Sequence, residues 1–126
     1  MAKVFLDVNI IIDLLEKRRG AVIDDLIPHT LFASPLSLHI IHYVTKQKVP
    51  YDKLLQVMEQ FSIVPLDEGM TQNSLVGPTT DFEDNVQLHS AAEADCDLFL
   101  TSDKALLALT FFGKTEIVSG MQMKRE

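Results

Sequence analysis

The sequence predicts an α/β fold, a mainly parallel central sheet with helices on both faces. Two observations lead there. Short apolar runs of three or four residues alternate along the chain with longer segments whose apolar residues recur at helical spacing. The apolar share is also high for 126 residues, at 47% with a mean hydropathy of +0.14, as expected of strands buried on both sides. No internal repeat, linker or low-complexity stretch interrupts the pattern, so residues 1–126 are read as one domain.

The elements follow in order. Residues 3–6 (KVFL) are a short buried strand, and residues 9–19 a helix with Ile11, Leu14, Leu15 and Arg18 on one stripe and Gly20 as its stop. Residues 30–33 (TLFA) form a second strand. Ser34 and Pro35 introduce a helix over 35–46, whose inward stripe is Ser37, Ile40, Ile41 and Val44. Pro50 and Asp52 punctuate the chain. Leu54, Val57, Met58 and Phe61 then mark the inner face of another helix. A strand over 62–65, a weak helix near 69–75 and a loop at 77–80 come next. The last third reads as a helix over 82–94, a strand at 98–100, a short helix near 104–109 and a strand at 116–118.

Composition excludes several classes. No apolar run approaches the roughly 18 residues that span a bilayer, so no membrane association is expected. Asp7 and Asp13 interrupt the one N-terminal stretch that imitates a leader, and no small-residue cleavage site follows it. The single cysteine, Cys96, cannot form an intramolecular disulfide, which fits a reducing, cytoplasmic setting and a structural role beside a buried strand. The net charge of −7 opposes ordinary electrostatic binding of nucleic acid. That objection weakens where clustered carboxylates hold a cation, because the cation reverses the local field.

In such a fold the functional crevice lies outside the carboxyl ends of the strands. Asp7 directly follows the first strand. Asp103 follows the strand at 98–100 and the turn Thr101-Ser102. Asp84 lies in the first turn of the helix feeding that strand, on the stripe continued by Leu88, Ala91 and Ala92. An inward carboxylate is costly unless paired or bound to metal, and neighbouring carboxylates raise one another's pKa until a cation relieves them. Oxygen-only sites of this kind suit Mg2+ or Mn2+. A duller reading stands beside this one. Asp7 and Asp103 fit as caps of the helices that follow them, while Asp84 complements a helix dipole with Asp81 or Thr80 as the N-cap. Asp81 and Glu83 are also close enough in sequence to enter the acidic pocket.

Three segments carry a resemblance. DVNIIIDLLEKR at 7–18, ASPLSLHIIHYVTKQK at 33–48 and DFEDNVQLHSAAEADCDLFLTSD at 81–103 resemble, in order and spacing, the motif blocks of PIN domains. The resemblance implies a PIN-like three-layer fold and a metal-dependent ribonuclease of the toxin type. Mg2+ or Mn2+ would be held by Asp7, Asp84 and Asp103, with Asn9, Ser37, Asp81 and Thr101 as supporting or substrate-facing residues. It further implies RNA as substrate, a homodimer, and an antitoxin peptide that inserts a basic side chain among the acids. Two positions depart from the family pattern. Ile40 stands where an acidic residue is usual, and Leu106 where an aspartate is frequent. A non-catalytic PIN fold that binds RNA or protein is therefore the alternative. A phosphoryl-aspartate chemistry at Asp7 ranks last, because the second aspartate it needs is replaced by Asn9.

The remaining polar groups have mundane readings. His39, His42 and Lys46 share a helix face that could meet RNA or a partner, but a His pair without a third ligand makes no zinc site. Asp13 is placed on the polar face of the first helix with Asn9 and Glu16, paired to Lys17.

Overall fold

The computed structural model describes residues 1–16 and 26–121. Among these, strands β1 (Lys3–Leu6), β2 (Thr30–Ala33), β3 (Phe61–Ile63), β4 (Leu98–Leu100), β5 (Phe111–Phe112) and β6 (Thr115–Val118) form one sheet. Six helices accompany it: α1 (Val8–Glu16), α2 (Pro35–Thr45), α3 (Asp52–Met58), α4 (Glu68–Val76), α5 (Phe82–Glu93) and α6 (Lys104–Leu107). The strand order is β3-β2-β1-β4-β6-β5. Every neighbouring pair is parallel except β5 against β6.

Period-two alternation divides the core into two layers. Val4, Leu6, Leu31, Ala33, Leu98 and Leu100 face one side, where they pack with residues of α1, α2 and α3. Phe5 and Phe99 face the other, with Met70 of α4, Leu88 and Ala91 of α5 and Leu106 of α6. The two phenylalanines are register partners on β1 and β4 and stack with ring centroids 5.5 Å apart and planes 5° from parallel. Both are fully buried, so they carry much of the second layer.

The sequence reading places most strands to within a residue and errs where packing decides. The hairpin partner β5 was not foreseen. Two residues carry too little periodicity to read, yet Gly113 at φ +61° opens the two-residue loop that folds Phe111-Phe112 back on Thr115 and Glu116. Phe61 opens β3 rather than facing inward from α3. Strand β3 stops at Ile63, since Pro65 has no N–H for a ladder. Val44, expected on the inward stripe of α2, is 54% exposed because the last turn of that helix runs past the core. Asp13 is not on a solvated face. With α2 and α3 lying against it, α1 is buried nearly all round, and Asp13 is only 5% exposed. The helix residues expected beyond position 16, with the Lys17–Arg19 cluster and the partner proposed for Asp13, lie outside the described residues.

Truncating the stacked pair tests the two-layer core. Phe99→Ala is expected to lower the unfolding free energy by about 3–5 kcal/mol, read from urea denaturation monitored by circular dichroism. A loss below about 1 kcal/mol would contradict full burial of this ring.

Candidate functional site

The chain leaves β1 for β2 and β3 on one side and returns as β4 and β6 on the other. The order therefore reverses between β1 and β4, and their carboxyl ends open a crevice. The last rung of that pair is the Asp7 amide donating to the Leu100 carbonyl at 2.9 Å. Asp7 thus sits at the edge by backbone register. Helices α1 and α2 start directly after β1 and β2, so their N-termini lie at the same edge, where the dipole favours negative charge.

Asp7 is 5% exposed and held by three donors. Its Oδ1 accepts the Val8 amide at 2.8 Å, and its Oδ2 accepts the Thr101 hydroxyl at 2.7 Å and Asn9 Nδ2 at 3.3 Å. Asn9 Oδ1 in turn accepts the Ser102 amide at 3.4 Å, and Thr101 Oγ1 accepts the Asp103 amide at 3.0 Å. Asn9 and Thr101, which the resemblance implies as supporting or substrate-facing residues, both donate to Asp7. Asp103 caps α6 through Oδ1, which accepts the Ala105 and Leu106 amides at 2.8 and 3.3 Å. Asp81 caps α5, accepting the Asp84 amide at 3.0 Å. The capping reading of Asp81 and Asp103 is thus correct as far as one oxygen goes. In each, Oδ2 takes no hydrogen bond from a described residue.

The carboxylates also act on one another through space. Burial lifts the pKa of Asp7 and the Asp103 charge adds to it, while Thr101, Val8 and Asn9 pull it back only in part. Asp84 is pushed up to about 7, first by burial and then by Asp81, Asp7, Asp103 and Glu83. Glu83 is raised as well, by burial and then by Asp81 and Asp7. Five carboxylates therefore form one electrostatic unit at the carboxyl edge of β1 and β4. Yet among the described residues no three His, Cys, Asp or Glu side chains stand close enough to hold a metal ion. The all-oxygen donor set still fits Mg2+, which keeps most of its waters and needs only one or two carboxylates.

Ser37 is fully buried and works inside a capping box with Ser34 rather than facing the crevice. Ile40 is half-buried against the apolar layer, so α2 adds no acid. Two residues of α5 escaped the sequence reading. Asn85 uses both ends of its amide, donating to the Ser74 and Thr79 carbonyls and accepting from Thr79, which ties the loop at 77–80 to α5. Gln87 is fully buried and accepts the Ser37 hydroxyl. Asn85 immediately follows Asp84, and that adjacency was the available signal; for Gln87 there was none. Cys96 is buried and its thiol is pushed up to about 12 by burial, so it is inert at neutral pH. His39 is exposed, whereas His42 lies against the Leu38 carbonyl and the Tyr51 ring, so the two share no site. A separate cleft of about 350 Å3 between α4 and α5, lined by Asp67, Asn73, His89 and Glu93 among others, touches none of the three predicted aspartates.

Solved structures resemble this chain in fold. The chain superposes on a chain of the crystal structure of VapBC2 from Rickettsia felis bound to a DNA fragment from their promoter, with a TM-score of 0.69. Identity is 15%, over 92% of this chain and 97% of that one. The fold is thus the PIN-like three-layer α/β fold. No protein-family model matches the sequence. No curated protein matches it either. No helix among the described residues is long and apolar enough to cross a membrane.

The raised carboxyls set a pH dependence with a definite sign. A folded-state pKa above the unfolded one means that the folded protein holds the extra proton. Metal-free protein therefore loses stability as pH rises from about 4 toward 7 through Asp84, and keeps that deficit above it. Thermal unfolding should show a higher midpoint at pH 5.5 than at pH 8. Asp84→Asn should raise the midpoint at pH 8 and flatten the dependence. A midpoint that climbs with pH in both proteins would contradict the coupling.

Proposed function

We propose that this chain is a metal-dependent endoribonuclease that hydrolyses RNA phosphodiesters, the toxin of a cytoplasmic toxin–antitoxin pair. The observation that carries the reading is the gathering of Asp7, Asp84 and Asp103 at the reversal of strand order, where burial first and carboxylate repulsion second push Asp84 up to about 7. Such repulsion destabilises the empty site and favours whatever positive charge neutralises it. The likeness to a chain of a VapBC2 assembly supports the toxin–antitoxin part.

In this reading Asp7 is the fixed ligand, because Thr101 and Asn9 hold its Oδ2 and the Val8 amide its Oδ1. Asp103 presents the oxygen its capping role leaves over, and Asp84 the third carboxylate, once it has released its proton. A divalent cation, Mg2+ or Mn2+, supplies activation of water and neutralisation of charge on the scissile phosphate. Bound there, it would also weaken the objection that a chain of net charge −7 should repel RNA, because it would offset part of the negative charge at the crevice. An antitoxin peptide would use the same field, placing an arginine or lysine where the cation sits. The exposed apolar residues Tyr43, Val44, Val49 and Leu55, on and near α2 and α3, fit a surface covered in a homodimer. Such a dimer buries at least about 1,000 Å2. Sedimentation at physiological salt should give a dimer, and a clean monomer at all concentrations excludes it.

Two observations favour a second reading, a fold that binds RNA or protein without cutting. Ile40 adds no acid, and no three-ligand group is assembled among the described residues. Purified protein should cleave RNA only with Mg2+ or Mn2+. Asp7→Asn and Asp84→Asn should each lose at least the roughly 10–100-fold that follows removal of even a supporting residue at a metal site. Equal residual cleavage by wild type and both variants would assign the activity to a contaminant. Calorimetric titration with Mn2+ separates the readings: binding abolished by Asp7→Asn excludes the non-catalytic one, and no binding by wild type excludes the nuclease.

A further inference from the structure

Helices α2 and α5 meet through a directed chain of hydroxyls. Ser37 Oγ accepts the Ser34 amide at 3.3 Å and lies 3.2 Å from Ser34 Oγ, while Ser34 Oγ accepts the Ser37 amide at 3.1 Å. Ser37 Oγ gives its one hydrogen to Gln87 Oε1 at 3.0 Å, which leaves the Ser34 hydroxyl as the donor between the two serines. Gln87 Oε1 thus faces Ser37. Nε2 lies on the branch of the amide away from Ser37. Gln87 is fully buried, and Nε2 has no acceptor. A buried donor without a partner is rare, because it forfeits its hydration for nothing in return.

Long side chains on a helix lean toward its N-terminus, over the turn three and four residues earlier. For Gln87 that turn carries Glu83 and Asp84. Asp7 has three donors, but the carboxylate of Asp84 accepts no hydrogen bond from any described residue. A carboxylate without a donor and a buried donor without an acceptor thus stand one helical turn apart on α5, at a spacing where glutamine and aspartate can pair.

We propose that Gln87 is a positioning residue for Asp84: with a divalent cation bound, its Nε2 donates to one Asp84 oxygen and holds the other toward Asp7. The inference rests on the nuclease reading and adds to it the device that orders the least constrained acid. Ser34 and Ser37 belong to the same device, since they point the amide hydrogens away from α2. The loss of a side-chain acid at Ile40 makes this ordering matter more, because fewer carboxylates remain to define the site.

The test uses Gln87→Met, which keeps the length and burial of the side chain and deletes both donors. Calorimetry should show Mn2+ affinity reduced about tenfold or more, the scale of losing a supporting hydrogen bond at a metal site. The thermal midpoint without metal should stay near that of wild type, because the variant removes an unpaired buried group. The double variant Ser37→Ala with Gln87→Met removes the Ser37 hydroxyl that the single variant strands, at the cost of the acceptor of the Ser34 amide and hydroxyl, and should show the same loss of affinity. A residue that merely fills the seam gives the reverse pattern, a lowered midpoint with Mn2+ affinity intact, and that result overturns the proposal. Wild-type protein without Mn2+ binding that depends on Asp7 would overturn the nuclease reading and this inference together. Wild-type binding matched by Gln87→Met would overturn this inference alone.

Discussion

A carboxylate buried at the end of a central strand must be surrounded by donors, and Asp7 recruits three of them from two separate elements. The Val8 amide and Asn9 come from α1, and the Thr101 hydroxyl comes from the end of β4. Asn9 then holds the Ser102 amide, and Thr101 holds that of Asp103, which starts α6. Backbone pairing of Asp7 with Leu100 sets the register that makes this reach possible. One desolvated acid therefore ties β1, α1, β4 and α6 together, and the cost of burying it explains why so many polar partners converge there.

The aspartates at this edge do two jobs at once. Asp81 and Asp103 cap helices with Oδ1 and remain charges felt by their neighbours. Capping and clustering need not compete, since a carboxylate has two oxygens and a helix start needs only one. The N-terminal dipoles of α1, α2 and α5 lower the cost of gathering negative charge, but they leave Asp84 raised to about 7. The carboxylates thus gather at this edge while still repelling one another.

Strands β1, β2 and β4 were legible because each is a short apolar run followed by a polar residue that ends it. That Asp7, Asp84 and Asp103 come near one another was legible because two of them follow strand ends, while the third extends an apolar stripe. What was hidden depends on contacts between distant segments. Asp13 looks solvent-facing on α1 alone and is buried only because α2 and α3 lie against it. Val44 continues the spacing of Ile41 but lies past the core. Gln87 looks like an ordinary helix residue until Ser37, fifty positions away, is brought to its amide. Strand β5 owes its existence to β6.

The central claim is that the crevice between β1 and β4 is where this chain concentrates affinity for a divalent ion. Paramagnetic broadening of backbone amide resonances by substoichiometric Mn2+ measures this residue by residue. The account predicts that Asp7 to Asn9, Thr101 to Asp103 and the first turn of α5 broaden first, and that Asp7→Asn abolishes the effect. Broadening centred on the cleft of Asp67 and Glu93, or spread evenly over the acidic surface with this edge spared, would contradict it.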